Sequence, residues 1–318
     1  MKNQRGQSLV LSLLFLTVLV GMAAMVVDFG SWYRADRKLQ ANADAAALAG
    51  AQELPASAAA AEAAALAYAD TNDGGLKAED VQFRETVTPN DTIDVTTDRP
   101  APGFFAQLFG RGSVEVRAHA AARTGVLGSA LGAAPIAIDW QHEKLHCPEV
   151  APGRQSCWGW NDRDGTHHAG EMTTLDFMKI GPGAFRLINI DSSYGGTGLS
   201  DIGYWIEKGF SGPADIDEWY YSDPGIKPNS SHVQEALDFR LANKPELLFP
   251  VYDLVEAQGA GFKYHVIGFA VFHVTSYEIH GSKDSRINGY FMAMNWVGVP
   301  SPSSGSPSFG ARAVALTE

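Results

Sequence analysis

A run of twenty residues near the amino terminus, Ser8 to Val27, contains no charged side chain. As an α-helix this run would be about 30 Å long, which matches the hydrocarbon thickness of a bilayer. A helix buried in a soluble protein fits the pattern poorly, because large apolar side chains would lie on all faces of a helix at the extreme amino terminus, directly after Lys2 and Arg5. A cleaved secretory signal is the better alternative, because Gly21-Met22-Ala23 loosely suits signal peptidase. The apolar character continues past that site, and we therefore expect a membrane-spanning helix.

The charges around this run bear on its orientation. Residues 1–54 carry five basic and four acidic side chains, whereas the rest of the chain carries 19 basic and 32 acidic ones. Basic residues flank the run on both sides, so counting them does not fix the orientation. The acidic body and a cysteine pair, Cys147 and Cys157, favour an amino terminus inside the cytoplasmic membrane and a body outside it. In that compartment the two cysteines are expected to form a disulfide.

The overall composition excludes two classes of protein. The net charge of -12 argues against a nucleic-acid partner, because nucleic-acid binding needs a concentrated basic surface. A hydrophobic content of 45% and a charged content of only 19% argue against extended disorder. The chain is long enough for one large or two ordinary domains with cores of their own.

Alanine dominates the segment that follows the apolar run, with 18 of the 35 residues from Ala35 to Ala69. Alanine has the highest helix propensity, so we predict that the membrane span continues as one helix to Leu54. Residues 1–54 would then form a membrane anchor and long helix. Small side chains at helical spacing would let another helix approach closely. They form the predicted helix-packing face: Leu39, Ala43, Ala46 and Gly50.

Residues 55–125 are predicted to form a small α+β module. Ser57 can cap a second alanine-rich helix, and period-two alternation around Pro89-Asn90-Asp91 predicts two strands. A short apolar helix at 104–109 then leads into an alternating strand at 114–118. A long hydrophobic helix followed by a small sheet resembles a type IV pilin-like subunit.

Residues 126–318 are predicted to form a larger mixed α+β domain, joined to the first part by a linker at 124–135 that is rich in Gly and Ala. A helix is expected over 232–241. Alternating or continuous apolar runs predict strands of an antiparallel sheet near the end of the chain: 249–254, 265–277, 286–299 and 310–316. The predicted fold class is therefore α+β.

Three stretches of the amino-terminal region resemble the TadE/TadG-like family, which is associated with assembly of Flp (tight adherence) pili. They are Arg5–Leu11 (RGQSLVL), Val27–Gly30 (VDFG) and Leu39–Ala51 (LQANADAAALAGA). The sequence FFAQLFG at Phe104–Gly110 looks like part of the same module. The resemblance implies a structural or assembly component in the bacterial cytoplasmic membrane. Its implied partners are the membrane itself and other pilin-like or Tad apparatus subunits, which would contact the amino-terminal helix.

The same resemblance makes Gly6 and Gln7 the candidate processing site of a prepilin-type peptidase. Substrates of that peptidase carry a glutamate five residues after the cleavage glycine, where this chain has Leu11. The glutamate normally serves both the peptidase and the assembling filament. We therefore expect an uncleaved anchor in a minor, capping or envelope-spanning role.

No arrangement of residues predicts catalysis or a cofactor. His142 and His146 with the two cysteines could bind zinc, but a disulfide would use both thiols. Residues 161–165 (NDRDG) resemble a fragment of a calcium loop without its third spaced acid and its closing glutamate. The alternative to an assembly role is a membrane-anchored adhesin or ligand-binding protein. An exported enzyme fits less well, because a tether needs only the membrane span and no further alanine-rich helix.

Overall fold

The computed structural model describes residues 5–72, 75–110, 112–145, 158–161, 167–177, 183–194, 197–222, 228–258, 261–281, 284–303 and 305–317. The chain divides into two compact units, residues 1–123 with 316–318 and residues 124–315. The first unit contains both the predicted anchor and most of the predicted small module. The chain has the α+β composition expected, with a long amino-terminal helix and a sheet-rich body.

One helix, α1, runs without interruption over Arg5–Ala51. From Ser8 to Val27 every residue is exposed except the half-buried Ala24, because this stretch extends beyond the rest of its unit. Small side chains are buried in the last three turns, where α1 contacts the helix α2 (Ala58–Thr71) and the sheet of its own unit. The apolar run and the alanine-rich segment thus belong to one helix, as the sequence predicted.

The helix α2 begins where the sequence placed its cap, since the hydroxyl of Ser57 accepts a hydrogen bond from the backbone N–H of Ala60 at 3.1 Å. An antiparallel sheet follows, formed by β1 (Val81–Arg84), β2 (Thr92–Pro102) and the first part of β3 (Ser113–Ala130). In place of the predicted short helix before β3, a single 3-10 turn spans Ala106–Phe109.

The predicted linker at 124–135 is wrong, because residues 124–130 continue the strand β3. Its glycine and alanine residues mark close packing in the second unit. A Cβ atom on Gly128 would lie only 2.9 Å from the Cα atom of Ser301, and Leu127 and Ala130 are buried. Small residues here let two backbones approach, which composition alone does not distinguish from a flexible segment.

In the described part of the second unit there are two further α-helices, α3 (Leu199–Lys208) and α4 (Ser231–Asn243). The helix α4 was predicted and α3 was not. The strands that follow β3 in the chain are β4 (Ile136–Asp139), β5 (Gly159–Asn161), β6 (His167–His168), β7 (Thr173–Phe177), β8 (Ala184–Leu187), β9 (Ala214–Asp215), β10 (Glu218–Ser222), β11 (Glu246–Gln258), β12 (Gly261–Ile279), β13 (Ser285–Asn295), β14 (Gly298–Pro300) and β15 (Ala311–Leu316).

Six of these strands pair in a closed ring. The antiparallel pairs β11–β12, β12–β13, β13–β7 and β8–β4 are completed by the parallel pairs β7–β8 and β4–β11. Side chains alternate between two cores: Phe249 and Phe272 pack in one with α3 and α4, while Leu248 and Val271 pack in the other. The predicted strands at 249–254, 265–277 and 286–299 correspond to β11, β12 and β13 on one side of this ring, with β13 ending at Asn295. The antiparallel prediction is wrong for 310–316, because β15 pairs in parallel with β13 and lies outside the ring. Burial on both faces explains the apolar runs in the middle of the ring strands.

Candidate assembly interface

The predicted helix-packing face lies inside the first unit. Leu39, Ala43 and Ala46 are at most 2% exposed, and Gly50 is buried with them. A Cβ atom on Gly50 would lie 2.5 Å from Cδ1 of Ile93 in β2 and 2.9 Å from the carbonyl oxygen of Ala61 in α2. These four residues hold α1 against its own chain, so the surface that α1 can offer another subunit lies elsewhere.

That surface is the exposed apolar half of α1. Leu9, Leu11 and Phe15 are each about two-thirds exposed or more, at 72%, 69% and 68%. Among the described residues, α1 is the one helix long and apolar enough to cross a membrane. The backbone of Gly6 and Gln7 forms part of the first turn of this helix. The structure does not describe the surroundings of the Gln7 side chain.

At the end of the apolar half, Asp28 makes a polar contact with a distant segment of the first unit. It is 4% exposed and accepts hydrogen bonds from three consecutive backbone N–H groups. Phe104 donates at 2.8 Å, Phe105 at 3.0 and 3.1 Å to the two carboxylate oxygens, and Ala106 at 2.6 Å. Phe104 and Phe105 lie just before the 3-10 turn, and Ala106 is its first residue. Asp28 therefore caps the start of this turn, although it lies 76 to 78 residues earlier in the sequence.

Sequence reasoning missed this contact. The VDFG stretch was noted for its resemblance, but Asp28 received no role. Its partners are backbone N–H groups of Phe104 to Ala106, and no side-chain pattern marks such donors. The available signal was a lone carboxylate directly after a charge-free run, because an acid at that position needs a partner.

The candidate metal and disulfide residues lie largely outside the described part of the chain. Cys147, Cys157 and His146 are not described, so the disulfide and the zinc set stay predictions, as does calcium at 161–165. His142 is described and is 3% exposed. Its Nδ1 accepts the N–H of Lys144 at 3.1 Å, its Nε2 lies 3.3 Å from the hydroxyl of Thr173, and burial lowers its pKa. Both ring nitrogens therefore have protein partners.

The second unit carries a surface groove of about 590 Å³. Two carboxylates, Asp217 and Asp253, lie in its wall beside the Ser/Pro-rich segment that includes Pro300 to Ser303. The Oδ1 atom of Asp253 lies 2.7 Å from Nδ1 of His265. Within the described residues, no group of three or more His, Cys, Asp or Glu could hold a metal ion. The groove can offer carboxylates and hydroxyl groups to a polar ligand.

The match to a known family lies entirely on α1 and the turn that ends it. Residues 6–53 match the family model described as putative Flp pilus-assembly TadE/G-like. The resemblance noted in the sequence is thereby confirmed for this region, and it supports involvement in Flp (Tad) pilus assembly. No curated protein and no solved structure shows a match to the chain. The 104–110 segment and the second unit lie beyond the matched residues.

Proposed function

We propose that the protein is a membrane-anchored structural or assembly component of a Tad/Flp-type pilus or secretion apparatus, with its amino terminus inside and its body outside the cytoplasmic membrane. The observation that carries the proposal is the coincidence of the family match with α1. One half of that helix is exposed and apolar, and the other half packs against α2 and β2 of its own unit. Such a helix suits insertion in a membrane among other subunits.

A minor or envelope-spanning role fits better than the bulk of a pilus shaft. Leu11 occupies the position of the acidic residue used in filament docking, so that charge pairing is lost. The buried packing face is also unavailable to neighbouring subunits, whereas the apolar half of α1 is exposed. We propose a non-enzymatic role, in keeping with the family match of residues 6–53.

Deletion of the gene in a piliated strain tests this function. We expect fewer or no pili and weaker surface attachment, both restored by the wild-type gene. A photoreactive residue at Val18 in the span should crosslink to a subunit of the pilus apparatus, whereas one at Tyr68 on α2 serves as the matched control outside the span. Unchanged pilus number and attachment after deletion would contradict the assembly role.

The groove on the second unit favours one alternative, a membrane-anchored adhesin or ligand-binding protein. The substitutions Asp217→Ala and Asp253→Ala distinguish the two roles. If the protein is an adhesin, these variants lose attachment while pilus number stays normal. If it is an assembly component, the two variants form pili and attach like the wild type, provided that the protein level is unchanged.

A further inference from the structure

A short loop beside α1 exposes large apolar side chains. We call residues Gly103–Gly110 the apolar loop. Phe104 is 63% exposed, Leu108 is 80% exposed and Phe105 is 39% exposed. Three such side chains within five residues form a local apolar patch, which at a protein surface usually marks contact with another protein or with a membrane.

Hydrogen bonds fix the position of the apolar loop along the axis of α1. The carboxylate of Asp28 accepts the N–H groups of Phe104, Phe105 and Ala106 at 2.6 to 3.1 Å. Just before the loop, the carbonyl oxygen of Pro102 accepts a hydrogen bond from the hydroxyl of Ser31 at 3.3 Å. The loop therefore lies beside the helical turn that begins at Asp28. The depth of the loop in a membrane is set by the depth of that turn.

That turn lies where the apolar run ends. The twenty charge-free residues before Asp28 span about 30 Å as a helix, so their end coincides with the edge of the hydrocarbon region. Phe29 and Tyr33 follow within about 8 Å and are exposed, as is typical of the aromatic belt at a membrane interface. The exposed Arg34 and Arg37 follow next, at the level of the lipid headgroups.

We propose that the apolar loop inserts into the interfacial region of the lipid bilayer beside α1, so that the protein has a second membrane contact in addition to its span. This proposal rests on the proposed membrane anchoring. A carboxylate at the hydrocarbon edge is costly unless it has partners, and the three loop N–H groups supply them to Asp28. The same hydrogen bonds place Phe104 and Leu108 next to the lipid. The bilayer is the favoured occupant because the loop is continuous with the end of the apolar span.

The test uses the unmodified full-length chain in vesicles of phosphatidylethanolamine and phosphatidylglycerol that contain a lipid with a photoreactive group at the top of its acyl chain. After illumination, mass spectrometry locates the lipid adducts. We expect adducts at Phe104 to Leu108 in several-fold higher yield than at Tyr68, which is 49% exposed on α2. A lipid with the photoreactive group at the end of its acyl chain should instead label the middle of the span, near Val18.

The outcomes separate this inference from the function on which it rests. Labelling near Val18 with none in the apolar loop overturns the inference and leaves membrane anchoring in place. Absence of labelling near Val18 overturns the anchoring itself. In a second arm, a photoreactive residue replaces Leu108 in the chain. Crosslinks from this residue to a second copy of the chain, increasing with protein density in the vesicles, would also overturn the inference, because they would make the loop a protein contact.

The variant Asp28→Ala tests whether the carboxylate of Asp28 positions the apolar loop. Without the carboxylate, the loop is no longer fixed at the height of Asp28, so lipid adducts in the loop should fall several-fold while those near Val18 persist. Asp36→Ala, which removes a half-buried carboxylate from the same helix, is the matched control and should leave both yields unchanged. Equal loop labelling in the wild type and Asp28→Ala would show that Asp28 does not position the loop.

Discussion

Asp91 holds together the turn between β1 and β2 through its carboxylate. It is 1% exposed, and its two oxygens accept the backbone N–H groups of Thr86, Val87 and Thr88 at 2.8 to 3.0 Å. The hydroxyl of Thr92 adds a further hydrogen bond at 2.9 Å. The carboxylate therefore supplies hydrogen-bond acceptors to N–H groups of the turn, which lie between the paired strands β1 and β2.

We expect Asp91→Ala to destabilise the first unit by about 1 to 3 kcal/mol, because three N–H groups lose their acceptor. The control Asp98→Ala removes an exposed acid from β2 and should change stability by no more than about 0.5 kcal/mol. Amide hydrogen exchange at Thr86 to Thr88 measures the effect. Equal protection in Asp91→Ala and the wild type would contradict this role for the carboxylate.

The same carboxylate makes the turn sensitive to acid. Burial works to raise the pKa of Asp91, but the hydrogen bonds from Thr88, Val87, Thr86 and Thr92 outweigh it and hold the pKa below its usual value. A lowered pKa in the folded state stabilises the fold above the unfolded pKa of about 3.9. This contribution is lost as the pH falls through the folded value. The protection difference between the wild type and Asp91→Ala should therefore shrink below about pH 4, and a constant difference would contradict the assignment.

At the scale of elements, the packing of α1 against α2 and β2 depends on the absence of a side chain at Gly50. In Gly50→Ala the new methyl group would overlap Cδ1 of Ile93, which can move, and the backbone oxygen of Ala61, which cannot move without shifting α2. We expect a loss of about 1 to 3 kcal/mol from overpacking. Thermal unfolding of the purified protein in detergent provides the measurement.

Gly30→Ala is the matched control, since Gly30 lies in the same helix and a Cβ atom there would have nothing within 4 Å. Alanine favours a helix over glycine by up to about 1 kcal/mol, so this variant should unfold at the same temperature or higher. If both variants were equally destabilised, the cause would be helix geometry and the packing argument would fail.

Elements with a long, regular pattern could be predicted from the sequence. The charge-free run and the alanine-rich segment predicted α1, and the four strands predicted after residue 245 overlap β11, β12, β13 and β15. The helix α3 was missed because it has only ten residues, and glycine stands on both sides of it at Gly198 and Gly209. The closed ring was missed because β7 and β8, which complete it, have only five and four residues, too few to show a period.

At the scale of the whole molecule, contacts between segments that are distant in the sequence were the hardest to predict. The sequence indicated that Leu39 and Gly50 face a packing partner, but helical spacing does not tell whether that partner is another chain. The structure supplies α2 and β2 of the same chain as the partner. Composition likewise did not separate a flexible segment at 124–130 from a strand in close contact with Ser301.

The redox state of Cys147 and Cys157 indicates in which compartment the body of the protein lies. Outside the cytoplasmic membrane, Cys147 and Cys157 should form a disulfide that contributes on the order of 2 to 3 kcal/mol, since it closes a short loop. Protein extracted from membranes without reductant should take up no thiol reagent until it is reduced. Two reactive thiols in that protein would contradict both the disulfide and the external location of the body.

The amino terminus decides whether the protein behaves as a retained anchor or as a filament subunit. We expect the wild-type chain to keep its first residues, because Leu11 cannot provide the carboxylate that prepilin-type substrates carry five residues after the cleavage glycine. In Leu11→Glu this carboxylate returns at the position that would pair with a neighbouring subunit's free amino terminus. Intact-mass analysis should then show a chain beginning at Gln7. Leu13→Glu, with the same charge two residues later, is the control and should stay uncleaved. A wild-type chain that already begins at Gln7 would show that the acid at this position is dispensable for processing.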